Sequence, residues 1–274
     1  MVAEFVSGSM GSGKTSELIR RVKIDEDLGK PVELYRPGAD DRELSENSDN
    51  YTASRLGLKI RSTSVESPES ILRNLEARPD EEETCGITEI HLFRNSGQFI
   101  DLARRYQKNT RKRIIMDGLL TTFAALPFPL GDSGKFVSDI LPYAHHTEMI
   151  GKCFYRHENG KACERPARFS LRLLNGMPAP IDAPVISTGS ENLKIVNYTG
   201  KKMLENYLGV CEDHHIVPQE LSEWDSLLKK YNFPQPVMRK SPEGKSVLIS
   251  FKEHLKEAKS KVPDLSNLPF AYVV

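Results

Sequence analysis

Gly8-Ser9-Met10-Gly11-Ser12-Gly13-Lys14-Thr15 follows an extended apolar start, Val2 to Val6, and runs straight into a helical stretch from Ser16 to Val22. Glycines at 8, 11 and 13 let the backbone curl so that successive N–H groups point inward at phosphate oxygens, a curvature that side chains would obstruct. Lys14 is then spaced to reach the β- and γ-phosphates of a nucleotide, and the Thr15 hydroxyl to hold Mg²⁺. The helix that follows turns its positive end toward the same anion. Residues 8–15 are therefore the candidate ATP site.

The chain of 274 residues is long enough for one large domain or a main domain with an appendage. Lys plus Arg and Asp plus Glu balance at 38 each, so no global field argues for nucleic acid or a membrane surface as partner, and a small ligand is expected. No apolar run reaches the length of a membrane span, and residues 1–8 lack the basic and apolar regions of a signal peptide. A cytoplasmic protein is the expectation. Four cysteines in such a chain point to metal or free thiols before disulfides.

Up to about residue 150, strand-like runs (Val2–Val6, Pro31–Tyr35, Ile87–Phe93, Arg113–Met116) alternate with helical patterns at Ser16–Leu28, Pro68–Ala77 and Ile100–Lys108. The alternation predicts an α/β fold with a mainly parallel, RecA-like sheet. Ligands in such sheets bind outside the carboxyl ends of the strands, where the phosphate loop, the Asp40–Arg42 loop and the loop after Phe93 are expected to gather. Asp117, which ends an apolar strand, reads as an aspartate of the type that serves Mg²⁺ sites, or as a turn former before Gly118. The acidic run Asp80–Glu83 reads as a solvated loop.

From Gly151 the composition shifts to cysteine, proline, glycine and short β-like pieces. This predicts three regions: 1–150, a nucleotide-binding domain; 151–217, a small domain; and 218–274, an extension with helical patterns around Gln219–Tyr231 and Lys252–Lys261. Cys153 and Cys163 flank a polar loop, and Cys211 is followed at i+3 by His214. Together they supply four ligands for a tetrahedral structural zinc, with His157 and His215 as competing ligands. Cys85 stands alone and reads as a core thiol.

These elements resemble one family, the type II (cellular or viral) thymidine kinases, from Phe5 to about His215. The phosphate loop with Ser16-Glu17-Leu18-Ile19-Arg20-Arg21 is similar to the family's start. Asp40-Asp41-Arg42 resembles its Asp-x-Arg element, and Ser54-Arg55-Leu56-Gly57 its Ser-His-x-Gly, with arginine for histidine. Gly118-Leu119-Leu120-Thr121-Thr122-Phe123 with Pro127-Phe128 resembles the wall of its thymine pocket. Leu141-Pro142-Tyr143-Ala144, Pro166-Ala167-Arg168-Phe169-Ser170-Leu171-Arg172 and Tyr207 before Cys211 complete the likeness.

The resemblance implies a phosphate-loop α/β domain with a zinc-bound lasso that closes over the nucleoside. It implies transfer of the γ-phosphoryl group of ATP to the 5′-hydroxyl of thymidine or deoxyuridine, in a homo-tetramer. Lys14, Thr15 and Arg42 would serve the phosphates and Mg²⁺. Met10, Phe99, Leu119, Phe123, Phe128, Ser170, Arg172 and Tyr207 would contact base or sugar.

Family members follow the next buried strand with Asp-Glu-x-Gln-Phe, the aspartate serving Mg²⁺ and the glutamate acting as base. Asn95-Ser96-Gly97-Gln98-Phe99 is the best match to that element, and it carries neither carboxylate. A second register, with His91-Leu92 at the carboxylate positions, supplies no glutamate either. On this reading Asp117, Asp40 or Asp41 replaces the lost carboxylate, or the chain is a catalytically impaired kinase homologue that binds nucleotide or nucleoside in a regulatory or interaction role. A generic ATPase is the third reading, opposed by Phe169–Arg172 and Cys211–His214.

Overall fold

The computed structural model describes residues 3–38, 51–54, 57–108, 111–155, 157, 161–174, 177–185, 194–198, 201–215, 238–240 and 246–248. The chain divides into two units, Met1–Gly151 and Lys152–Val274.

In the first unit the elements follow in the order β1 (Ala3–Gly8), α1 (Lys14–Asp27), β2 (Val32–Pro37), β3 (Tyr51–Ala53), β4 (Lys59–Arg61), β5 (Thr63–Val65), α2 (Pro68–Ala77), β6 (Glu83–Ile87), α3 (Gln98–Tyr106), β7 (Lys112–Asp117) and β8 (Ala144–Met149). Six strands form a sheet in the order β5-β2-β6-β7-β1-β8. Every pairing in it is parallel. All five residues of β6 are buried, as a central parallel strand covered on both faces requires.

Helix α1 lays Leu18, Ile19 and Val22 on Val6, Leu34 and Ile115. Gly86 in β6 permits this approach, because a Cβ there would lie 2.5 Å from Leu34 Cδ1 and 2.9 Å from Val22 Cγ2. Proline at the first position of α2 is accepted because its missing N–H has no intrahelical partner there. Among the described residues no helix is long and apolar enough to cross a membrane.

Two expectations change here. The strand expected at Ile87–Phe93 lies earlier, at Glu83–Ile87, and residues 90–92 form a single 3-10 turn instead. The acidic run Asp80–Glu83 is solvated only in part, since Glu83 opens β6 and is buried. Lys112 at 3.4 Å and Arg78 at 3.3 Å compensate its charge. Burial nonetheless pushes the Glu83 carboxyl above its ordinary pKa.

The second unit begins within β9 (Gly151–Lys152) and continues through β10 (Pro166–Ala167), β11 (Phe169–Leu174), β12 (Met177–Pro178), β13 (Lys194–Tyr198) and β14 (Lys201–Val210). Its antiparallel sheet has the order β12-β11-β14-β13. Cys153, Leu171, Leu173, Leu208, Val210 and Cys211 form a small core. A hairpin of β15 (Met238–Lys240) and β16 (Ser246–Leu248) follows. The helices expected at Gln219–Tyr231 and Lys252–Lys261 lie outside the described residues.

Arg172 of β11 and Glu205 of β14 are both buried, with Nη2 2.6 Å and Nε 2.7 Å from Glu205 Oε1. The remaining Nη1 donates to Pro184 O at 2.7 Å, so one guanidinium ties two strands to the turn after Met177. Removing one member of such a pair leaves a buried charge. Arg172→Met is expected to cost about 3–5 kcal/mol, and Arg172→Met with Glu205→Leu to recover most of it, as read from urea unfolding.

Candidate functional site

Each glycine of the phosphate loop has a geometric reason. Gly8 has φ 148°, and a Cβ on it would fall 2.2 Å from Met149 O and 2.4 Å from Ser12 Oγ. Gly11 and Gly13 have φ of 74° and 94°, in the left-handed region that favours glycine. The Ser12 N–H donates to Ser9 O at 3.2 Å and closes the turn. Lys14 is buried and its Nζ donates to Ser9 O at 3.0 Å, so its charge lies against the loop. Gly13 caps α1, whose first turn opens toward the same loop.

Parallel register decides what stands beside this loop. Ile87 pairs with Met116, Met116 with Phe5, and Asp117 with Val6. The residues just past Ile87, Asp117 and Gly8 therefore share one edge, the carboxyl ends of β6, β7 and β1. Past β6 these residues are Thr88 and Glu89.

Asp117 is fully buried and holds that turn. It accepts the Glu89 N–H at 2.6 Å and the Thr88 hydroxyl at 3.1 and 3.3 Å from its two oxygens. Glu89 itself has φ 50° and ψ 51°, a left-handed conformation that costs an L-residue about 1–2 kcal/mol. The charge-assisted bond to Asp117, worth about 1.5–3 kcal/mol, offsets it.

The Asn95-Ser96 segment, the expected place of the carboxylate element, stands away from the end of β6. Asn95 lies eight residues beyond the end of β6, is exposed, and donates from Nδ2 to Glu69 Oε1 at 3.0 Å. Ser96 is buried at the entry to α3, where the Phe99 N–H donates to Ser96 O. Gly97-Gln98-Phe99 starts a helix and does not end a strand. Thr88-Glu89-Ile90-His91-Leu92 directly follows the strand, with glutamate at the second place and threonine at the first. Thr88 and Glu89 remain buried past the strand, so the end at Ile87 has no mark in burial.

Met10, Phe99, Leu119, Phe123 and Phe128 are all buried in the first unit. Phe128 meets the His91 ring edge-on at 4.4 Å, and the Leu119 N–H donates to His91 Nδ1 at 3.4 Å. Phe99 packs edge-on against Phe93 at 5.1 Å and is a core residue. Thr15 is half-buried at the start of α1. Asp40, Asp41 and Arg42 lie outside the described residues.

In the second unit Ser170 is buried, and Arg172, held by Glu205, sits 5.8 Å from the centre of the Tyr207 ring. Arg172 is an internal brace between β11, β14 and the turn at Pro184.

The donor atoms of Cys153, Cys163, Cys211 and His214 all lie within 4.8 Å of one another. Bond lengths of about 2.3 Å to sulfur and 2.0–2.1 Å to nitrogen give tetrahedral edges of about 3.8 Å between sulfurs and about 3.6 Å between sulfur and nitrogen. The edges here are 3.8 Å for Cys163–Cys211, 3.5 Å for Cys153–His214 and 3.2 Å for Cys211–His214, so the set fits a tetrahedral ion. Burial pushes the Cys153 thiol up to about 11 and holds His214 below its ordinary value. His157 and His215 stay outside the set: the His157 ring stands edge-on to Tyr155 and His215 stacks on Phe169.

A phosphate-binding loop at the edge of a six-stranded parallel sheet, with a carboxylate beside it, and a β-rich unit with a Cys₃His cluster define a nucleotide-binding phosphotransfer protein. Residues 1–215 match the thymidine kinase family. The chain belongs to that family, and in general terms it is a nucleoside-kinase-type protein that uses ATP. Among solved structures, the large terminase of a thermophilic bacteriophage is similar at 10% identity, with TM-score 0.32 over 84% of this chain and 68% of that one.

The loop geometry predicts the effect of one added methyl group. Gly8→Ala is expected to cost about 1–3 kcal/mol through the clash with Met149 O and to weaken binding of an ATP analogue by more than about tenfold, by calorimetry. Unchanged affinity would contradict the tight loop.

Proposed function

We propose that this protein transfers the γ-phosphoryl group of ATP to the 5′-hydroxyl of thymidine or deoxyuridine, with Glu89 accepting the hydroxyl proton. The observation that carries the reading is the position of Glu89 directly past β6, on the sheet edge that also bears the Lys14 loop. The 5′-oxygen forms a bond to the γ-phosphorus as its proton passes to Glu89, and the bond to the bridging oxygen breaks with its electrons leaving on ADP. Loop N–H groups and Lys14 neutralise the phosphates; the Thr15 hydroxyl would hold a Mg²⁺, which would supply further charge neutralisation there.

Asp117 supplies negative charge at this edge, where threonine takes the aspartate's place, and fixes the glutamate's backbone. Met10, within the loop, and Leu119 and Phe128, against His91, support contacts to base or sugar through their placement, and Phe123 rests on the family resemblance. Phe99, Arg172 and the roles of Asp40 and Arg42 rest on the family resemblance alone, as do those of Ser170 and Tyr207. The impaired-homologue reading drew on Asn95 and Ser96 as replacements, and it loses that support with glutamate at the strand end.

Turnover in a coupled assay with ATP, Mg²⁺ and thymidine is expected to fall about 10²- to 10⁴-fold in Glu89→Gln, with the KM for ATP little changed. Lys14→Ala is expected to lose at least about 10²-fold in kcat/KM. Full activity in Glu89→Gln would reject Glu89 as the base; no turnover of any pyrimidine nucleoside by the wild type would reject the kinase reading.

The Cys₃His set is proposed to hold a structural Zn²⁺ that stabilises the small second unit. One zinc per chain by atomic absorption is expected, lost in Cys163→Ala together with a lowered melting temperature. Stoichiometric zinc in that variant would contradict the assignment.

A further inference from the structure

His91 lies two residues past Glu89, is 3% exposed, and touches three parts of the site. Its Nδ1 accepts the Leu119 N–H at 3.4 Å, which leaves the ring proton on Nε2. Nε2 stands 3.4 Å from Glu89 Oε2. The ring also meets Phe128 edge-on at 4.4 Å. Gly118 makes room for this approach, since a Cβ there would lie 3.3 Å from His91 Nδ1 and 3.1 Å from Ile90 Cγ1. The 3-10 turn Ile90–Leu92 thus returns an imidazole over the glutamate that precedes it.

We propose that neutral His91, with its proton on Nε2, is a positioning residue that holds the Glu89 carboxylate for proton transfer and ties it to the Gly118–Leu119 segment. The inference rests on the kinase reading given above. Asp117 fixes the backbone of Glu89, and the place of the carboxylate then depends on its side-chain torsions; a donor at Nε2 limits them. The same ring anchors Leu119 and Phe128, so the proton acceptor and the apolar wall keep one spacing. A carboxylate displaced by about 1 Å loses on the order of 10²-fold in rate, so the contact is sufficient to matter for turnover without touching the nucleotide.

Four variants and a tautomer measurement test the proposal. His91→Ala and His91→Phe are expected to lower kcat about 10- to 100-fold with the KM for ATP nearly unchanged. His91→Gln, whose amide nitrogen reaches the place of Nε2, is expected to recover most of kcat. His91→Asn, which reaches only the place of Nδ1, is not. In a Glu89→Gln background His91→Ala is expected to add little, because its effect passes through the carboxylate.

An equal loss in both backgrounds, or recovery by asparagine and not by glutamine, would overturn the role. Nitrogen-15 NMR of histidine-labelled wild type is expected to show His91 as the neutral Nε2–H tautomer. The Nδ1–H form or the imidazolium would overturn the proposal whether or not any variant folds. Wild type without turnover on pyrimidine nucleosides would instead remove the kinase reading and the catalytic part of this one with it, an outcome distinct from losing His91 alone.

Discussion

The contact between the Asp117 carboxylate and the Glu89 N–H, 2.6 Å long and buried, is the constraint on which the rest of the site depends. It joins the ends of two central strands and stabilises a left-handed glutamate that would otherwise relax toward an ordinary conformation. Because β7 also pairs with β1, whose end becomes the phosphate loop, the same strand that positions Glu89 positions Lys14. The proposed proton acceptor and the phosphate-loop lysine are thus related through backbone register.

Much of this was legible in the order of residues. Gly8 to Thr15 could be read without the fold, because its glycines answer a local backbone requirement and Lys14 a local charge requirement. Helix α2 was also legible, with proline at its first position and apolar residues on one face. The Cys₃His set was legible from Cys211-x-x-His214, although the nine residues between Cys153 and Cys163 made that half less regular. The structure closes that gap with paired hydrogen bonds, Cys153 N–H to Arg165 O and Cys163 N–H to Tyr155 O.

Glu89 was illegible for a physical reason. Ile87 through Phe93 is apolar enough to pass for one strand, and the stop after Ile87 is imposed by a tertiary contact to Asp117, 28 residues away in sequence. Gly97-Gln98-Phe99 offers the closer local match, and it stands at the start of a helix. Glu83 misled in the opposite direction: an acidic run looked solvated until Lys112 and Arg78 were brought beside it. Local requirements show in local sequence, whereas pairings across the sheet do not.

The second unit is held together differently. Its apolar core is small, and the Arg172–Glu205 pair and the Cys₃His cluster supply the cross-links that a larger core would make unnecessary. The first unit packs helices on its parallel sheet and adds a buried ion pair of its own, Glu83–Lys112. The chemistry proposed here is accordingly concentrated at one sheet edge, and the account stands or falls on which carboxylate meets the nucleoside. A crystal structure with thymidine and a non-hydrolysable ATP analogue decides it: the account predicts a Glu89 carboxylate oxygen about 2.6–3.2 Å from the 5′-hydroxyl. A 5′-hydroxyl bonded to Asp40, Asp41 or Asp117, with Glu89 turned away, would contradict it.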